Sequence, residues 1–253
     1  MKILRVLPAI IVLVVWQLVV GGDQRLEFLF ASPMRVLAVA LEELRAPAIW
    51  VDIATTLSEA ALGLLAGALL GSALGLLLWT NDVVARVARP YIIFLGAIPI
   101  FAIAPMLIIW FGTGLLSKVV MSAFSVFFVS LAQAYDGARY CAAEYSQYAA
   151  TLRVPRMVFL RLIVLPGAIR WVAAGFKISI GLALVGAFIG EFVSSQAGLG
   201  HYILSAGSLY DMPRVIFGVV LISLLALLLT ALVWALERWQ PQLFAKSSMR
   251  ASN

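Results

Sequence analysis

The chain has 253 residues, 64% hydrophobic and only 12% charged, with a mean hydropathy of +1.06 and a net charge of +6. Soluble domains are about 45–50% apolar and about 25% charged, so this composition excludes one and predicts an all-α polytopic membrane protein. One cysteine, Cys141, excludes an internal disulfide or a cysteine metal cluster, and one histidine, His201, leaves no basis for a histidine metal site or triad. On such a chain the positive excess reads as positive-inside bias and contact with anionic lipid, not as a nucleic-acid footprint.

Lys2 and Arg5 precede an apolar run over residues 6–20. No A-x-A-like cleavage site follows at Gly21, Gly22 and Asp23, so the run reads as a retained first span entering from the cytoplasm. Residues 23–56 are mixed and polar. Ser32-Pro33 starts an amphipathic helix to about Leu44, Ala46-Pro47 breaks it, and the acid-leaning segment fits the outer side. The second span, residues 57–80, has glycine at every fourth position: Gly63, Gly67, Gly71 and Gly75. On a helix these form one smooth ridge that another backbone can approach closely. The ridge fits a helix that slides during gating and equally fits static packing. Glu59, one turn earlier, is expected at the interface.

Residues 81–89, with Arg86 and Arg89, read as a short cytoplasmic loop. The third span, 90–111, carries Pro99 and Pro105 and should be kinked or partly unwound, to turn carbonyls to a cavity or for packing alone. Gly112, Thr113 and Gly114 make a tight outer turn. Lys118 is expected to snorkel from the start of the fourth span, 115–134, whose Ser122, Ser125 and Ser130 are expected to bond to their own helix.

Residues 135–171 then interrupt the apolar runs. They hold five of the 18 basic residues: Arg139, Arg153, Arg156, Arg161 and Arg170. So basic a segment between two spans belongs on the cytoplasmic side. Residues 142–152 favour a helix, with Glu144 in its first turns. Pro155 interrupts it and starts a second short helix, which Pro166-Gly167 ends. The expected shape is a bent helical hairpin that a soluble partner can grip.

The fifth span, 168–190, has Lys177 about ten residues in, either facing the bundle interior or snorkelling to the inner headgroups. Gly186 and Gly190 offer another close approach, and Glu191 sits at the outer end. Residues 192–213 form an outer segment turning at Gly198 and Gly200, with His201 exposed. The sixth span, 214–239, is closed by Trp234 and Trp239, and a cytoplasmic tail follows at 240–253. Twelve Lys and Arg fall inside against five outside, which predicts six spans with both termini cytoplasmic. Three regions result: an N-terminal span and periplasmic segment (1–56), a core (57–239) containing the loop 135–167, and the tail.

No phosphate loop, H-E-x-x-H or G-x-S-x-G motif occurs. Acids within the apolar spans look nearly absent, which argues against the proton relay of a secondary transporter. No cluster of acids or histidines at one face suggests a lipid enzyme. The chain is therefore expected to be no enzyme and to hold no metal or cofactor. Any energy for uphill transport must come from another subunit, and 135–171 is the place to dock one.

That stretch resembles the coupling loop of the permease subunit of bacterial type I ABC importers, the binding-protein-dependent class. The family's loop carries E-A-A, three residues, G, and later I-x-L-P. Here the last four are Ile163, Val164, Leu165 and Pro166, the E-A-A falls on Gln147, Tyr148 and Ala149, and the G falls on Arg153. The departures are Gln for Glu, Tyr for the first Ala, and Arg for Gly. Residues 95–112 (LGAIPIFAIAPMLIIWFG) and 186–200 (GAFIGEFVSSQAGLG) are similar to the nitrate/sulfonate/taurine-type subgroup. The resemblance implies the type I permease fold, with Gln147, Tyr148, Ala149, Arg153, Leu165 and Pro166 as ATPase-coupling residues. Pathway or gating candidates are Lys177, Pro99, Pro105, Gly67, Gly71 and Glu191. Implied partners are ABC ATPase subunits that bind the ATP, a second and identical permease copy, and a periplasmic or lipid-anchored solute-binding protein. The implied site is the bacterial inner membrane. The implied cargo is a small solute: a sulfonate, nitrate, an aromatic acid or a thiamine pyrimidine.

Overall fold

Small residues set the core. The computed structural model describes residues 2–239; the expected tail, with Lys246 and Arg250, lies outside them. Gly63, Gly67, Gly71 and Gly75 are buried along α4 (Pro47–Trp79), facing α7 (Leu115–Thr151). A Cβ on these glycines would run into Ser122, Ala123, Phe127 or Leu131, mostly at backbone atoms. The third core helix is α9 (Leu165–Ser194), whose Gly186 and Gly190 press on Ser122 and Lys118 of α7. Lipid tails are as apolar as Leu, so close packing of small residues, not hydrophobic burial, holds such helices together. Ala60, Ala68, Val126, Ile180, Ala183, Leu184 and Ala187 fill the space between the three.

The other helices wrap this core. Ile49 and Ile53 of α4 pack with Leu199 of α10 (Leu199–Ser208), Phe217 of α11 (Met212–Trp239), and Val36 and Val39 of α3 (Pro33–Glu43). Arg214 clasps this corner, its Nε donating to Glu43 Oε1 at 2.7 Å and its NH1 to Asp211 Oδ2 at 2.8 Å. Helices α1 (Lys2–Val20) and α2 (Gln24–Phe30) precede α3. As expected, Ser32 is the N-cap of α3 and Pro33 opens it.

Among the described residues, four long helices are apolar enough to cross a membrane: Pro47–Trp79, Leu115–Thr151, Met157–Ser194 and Met212–Ala235. The pair α5 (Asp82–Gly96) and α6 (Ile100–Phe111) passes the same test together, bent by 92°, and Ile10–Val20 is a shorter apolar helix. The all-α reading with about six spans stands.

Several boundaries move. The second span begins at Pro47 rather than residue 57, because Pro at the first helical position initiates α4 as well as stopping α3. Residues 82–89 are helical, not a loop: Asn81 Oδ1 accepts the Val83 and Val84 N–H groups and caps α5. The kink of the third span falls at Pro99, where the chain unwinds after Gly96 and turns through the 92° corner. Pro105 and Pro90 stay inside their helices. Residues 192–213 are not only turns: Gly198, at φ 104, does turn the chain, but Gly200 lies within α10.

The largest correction concerns 135–171. No separate helix starts at 142, since α7 runs on unbroken to Thr151. Nor do Pro166 and Gly167 end a helix. A four-residue helix, α8 (Arg156–Phe159), leads into a π-helical turn, Leu160–Val164, and directly into α9. Pro166 explains the wide turn. It has no N–H for the Leu162 carbonyl and its ring crowds that carbonyl, so the chain loosens, with Leu165 N–H donating to the Leu160 carbonyl.

Candidate functional site

Two constellations stand out, one at each end of the α4–α7–α9 core. The first is the elbow between α7 and α8. Leu152 closes α7, and Arg153 takes a left-handed φ of 50°. The Arg153 N–H donates to the Ala150 carbonyl at 3.1 Å and the Val154 N–H to the Ala149 carbonyl at 2.9 Å. These two bonds are the Schellman pattern, with Arg153 in the place that glycine usually fills. A side chain at positive φ costs about 1–2 kcal/mol, which is why a small residue suits this position.

Around the turn, Tyr148 is 67% exposed, Leu152 75%, Met157 58% and Leu162 72%. The Tyr145 and Tyr148 rings lie 6.5 Å apart. Gln147 and Arg153 are exposed, Ala149 and Leu165 half-buried, and Pro166 exposed on the first turn of α9. Beneath the elbow, Ala138, Val164 and Ala168 are buried with Leu76 and Trp79 of α4 around them. Of the six residues predicted for coupling, Gln147, Tyr148, Ala149 and Arg153 gather on the elbow, whereas Leu165 and Pro166 lie further back, where Gly167 packs on Cys141 of α7, about 18 Å from Arg153 by helical rise.

The pathway candidates do not gather. Gly67 and Gly71 lie in the α4–α7 seam. Pro99 and Pro105 are exposed on the bent α5–α6 pair. Lys177 is half-buried, its Nζ 4.9 Å from the centre of the Trp234 ring of α11. Glu191 lies about 21 Å further along α9 by helical rise.

Glu191 belongs to the second constellation, at the α10 end, and is fully buried. Its Oε1 accepts from Thr56 Oγ1 at 2.6 Å and its Oε2 from the Gly200 N–H at 2.6 Å. Thr56 Oγ1 accepts the Leu199 N–H at 2.9 Å, and Asp52 Oδ1 accepts the Gly198 N–H at 2.7 Å. Side chains of α4 and α9 therefore cap α10, satisfying amide groups that its first turn leaves open.

Sequence reasoning missed most of this cluster. Glu59 is not interfacial but 3% exposed, and Lys118 does not snorkel but is 2% exposed, its ammonium donating to the Thr113 carbonyl. Ser122 is turned towards the Ala60 carbonyl of α4, at 3.4 Å, rather than to its own helix. Acids do stand within the spans. The signal was available: Glu59 keeps the four-residue register of the ridge, so it faces α7 as Gly63 does.

The family described as binding-protein-dependent transport system inner membrane component matches residues 63–241. The chain belongs to this family. A probable ABC transporter permease protein of Haemophilus influenzae is 33% identical over 243 residues, covering 94% of this chain and 98% of that one. The formylaminopyrimidine transport permease protein ThiX of Halalkalibacterium halodurans is 29% identical over 211 residues, covering 83% and 84%. Among solved structures, a chain of the inward-facing MetNI methionine ABC transporter superposes with a TM-score of 0.65 at 18% identity, covering 76% of this chain and 97% of that one. That likeness shows the permease fold. The chain is an ABC transporter permease, the membrane-embedded component of a binding-protein-dependent transport system.

Proposed function

We propose that this permease passes a small solute across the bacterial inner membrane, driven by ABC ATPase subunits that dock on the α7–α8 elbow. The observation that carries the reading is the exposed apolar rim of Tyr148, Leu152, Met157 and Leu162 around Arg153. Apolar side chains exposed where two long helices meet, at the tip of a helix longer than a bilayer is thick, suit a protein groove better than water. The elbow is continuous with the two helices that form the glycine-lined core, so a push there moves packed helices rather than a loop. Residues 135–167 act as the coupling segment, and the elbow faces the cytoplasm, as the lysine and arginine distribution supports.

A second, identical copy completes the pathway, and a periplasmic or lipid-anchored binding protein delivers the solute to the α10 end. ATP is bound by the partner subunits, and the permease itself has no catalytic role. The solute is a small organic anion or a vitamin precursor. The name of the pyrimidine-transporting relative supports the latter, and the cationic Lys177 on α9 supports the former.

The test is cross-linking. A cysteine replacing Tyr148, in a background where Cys141 is replaced, should join to an ATPase subunit in inverted membrane vesicles and stay unlabelled by an impermeant reagent in whole cells. Labelling from outside the cell would overturn the orientation, and the absence of a cross-link at Tyr148, Leu152 and Met157 alike would overturn the docking site.

A further inference from the structure

The Glu59 and Glu191 carboxyls raise a question of valence. An ionised carboxylate only accepts hydrogen bonds. Glu191 already accepts from Thr56 and from Gly200, one bond on each oxygen, which is the behaviour of the ionised form. Glu59 stands one turn from Thr56, on the face of α4 that Glu191 meets, so the two buried carboxyls adjoin, and any bond between them needs one to donate. Glu59 Oε2 is buried, and among the described residues no N–H or hydroxyl donor reaches it. Two carboxylates pressed together in a buried site cannot both carry charge, because like charges disfavour each other and neither has water to screen it.

Charge balance gives the same answer. On α4 the acids facing the site are Glu59 and, one turn from Thr56, the half-buried Asp52; α7 supplies Lys118 and α9 supplies Glu191. Helix α10 contains no Asp, Glu, Lys or Arg, its His201 ring pairs with Ser205 at 3.3 Å, and α6 contains no ionisable residue. One buried ammonium against one buried carboxylate is neutral. A second carboxylate would leave an uncompensated buried charge, a costly state.

We propose that Glu59 holds a proton and shares it with Glu191, so that the two carboxyls bind one proton as a structural ligand fastening α10 to the bundle. The proton keeps Glu191 in place as acceptor for the first amides of α10. When it is lost, Glu191 and Glu59 repel, and the Thr56 and Gly200 bonds that dock α10 are pulled apart. Because this site lies at the opposite end of the core from the elbow, it neither requires nor tests ATPase docking there.

The experiment uses the reconstituted transporter and its E59Q and E191Q variants. Gln at 59 keeps the size of the side chain and supplies a permanent donor to Glu191. Infrared difference spectra of wild type minus E59Q at neutral pH should contain the carbonyl stretch of an un-ionised carboxylic acid, shifting in deuterium oxide. Wild type minus E191Q should show the same band, since Glu59 then ionises against Lys118, so either variant alone decides the matter should the other not assemble. The thermal midpoint of wild type should fall as the pH is raised into the alkaline range, while that of E59Q changes less. A wild-type spectrum with no such band, or an E59Q midpoint that falls with pH as steeply as wild type, overturns the proposal.

Discussion

Arg153 shows how one backbone angle can account for a residue pattern. Its φ of 50° and its two Schellman bonds make this the position where a side chain is a burden. Arg153→Gly should therefore stabilise the elbow, by about 1 kcal/mol, read as a higher midpoint of thermal unfolding of the purified permease. Arg153→Glu keeps the strain and reverses the charge at the rim. It should lower solute uptake several-fold while ATP hydrolysis by the assembled complex continues, as measured in proteoliposomes. Uptake equal to wild type would separate Arg153 from coupling. The alignment of this arginine with the family glycine could be read from the chain by counting back from Leu165 and Pro166. The reason the arginine is tolerated could not, because it lies in hydrogen bonds made by the backbone and not in any residue type.

Among the helices, the seam between α4 and α7 is the element on which the core rests. Gly71 faces the Phe127 carbonyl and the Leu131 amide, groups that cannot move aside as a side-chain tip can. Gly71→Leu should cost about 3 kcal/mol or more through overpacking, seen as loss of folded protein in detergent, whereas Leu69→Ala, on the exposed face of the same helix, should be nearly neutral. The π-turn offers a finer probe. Pro166→Ala restores an N–H for the Leu162 carbonyl and should let Leu160–Val164 wind as α-helix, turning α8 relative to α9. Its signature is altered cross-linking from Met157 with little change in thermal stability.

These elements differ in how far they could be read in advance. A repeat of four residues is itself the geometry of a helix face, so the ridge was legible from spacing alone. The cap on α10 joins residues 135 and 143 positions apart in the chain, through Thr56 to Glu191 and Leu199. No local pattern encodes a contact at that range. The continuous course of α7 through 135–151 was missed for the opposite reason. Polar composition reads as a boundary, although a helix can leave the membrane without ending.

At the scale of the molecule, α4, α7 and α9 form a packed unit with small residues at its contacts, and the longer apolar faces are left outward. Such a unit moves as one body or by sliding along its seams. Purified permease alone in liposomes should show no uphill uptake, and adding its ATPase, binding protein and ATP should restore it. Concentrative uptake by the permease alone would remove the energetic premise of the docking reading.

The length of α7 has a mechanical consequence. At about 1.5 Å per residue its 37 residues reach about 55 Å, well beyond the roughly 30 Å of hydrocarbon in a bilayer. Its far tip therefore reaches past the hydrocarbon, at the end of a stiff rod whose middle α4 grips. A sideways stroke at the tip arrives among the glycines shortened in travel and multiplied in force, as at the short arm of a crowbar.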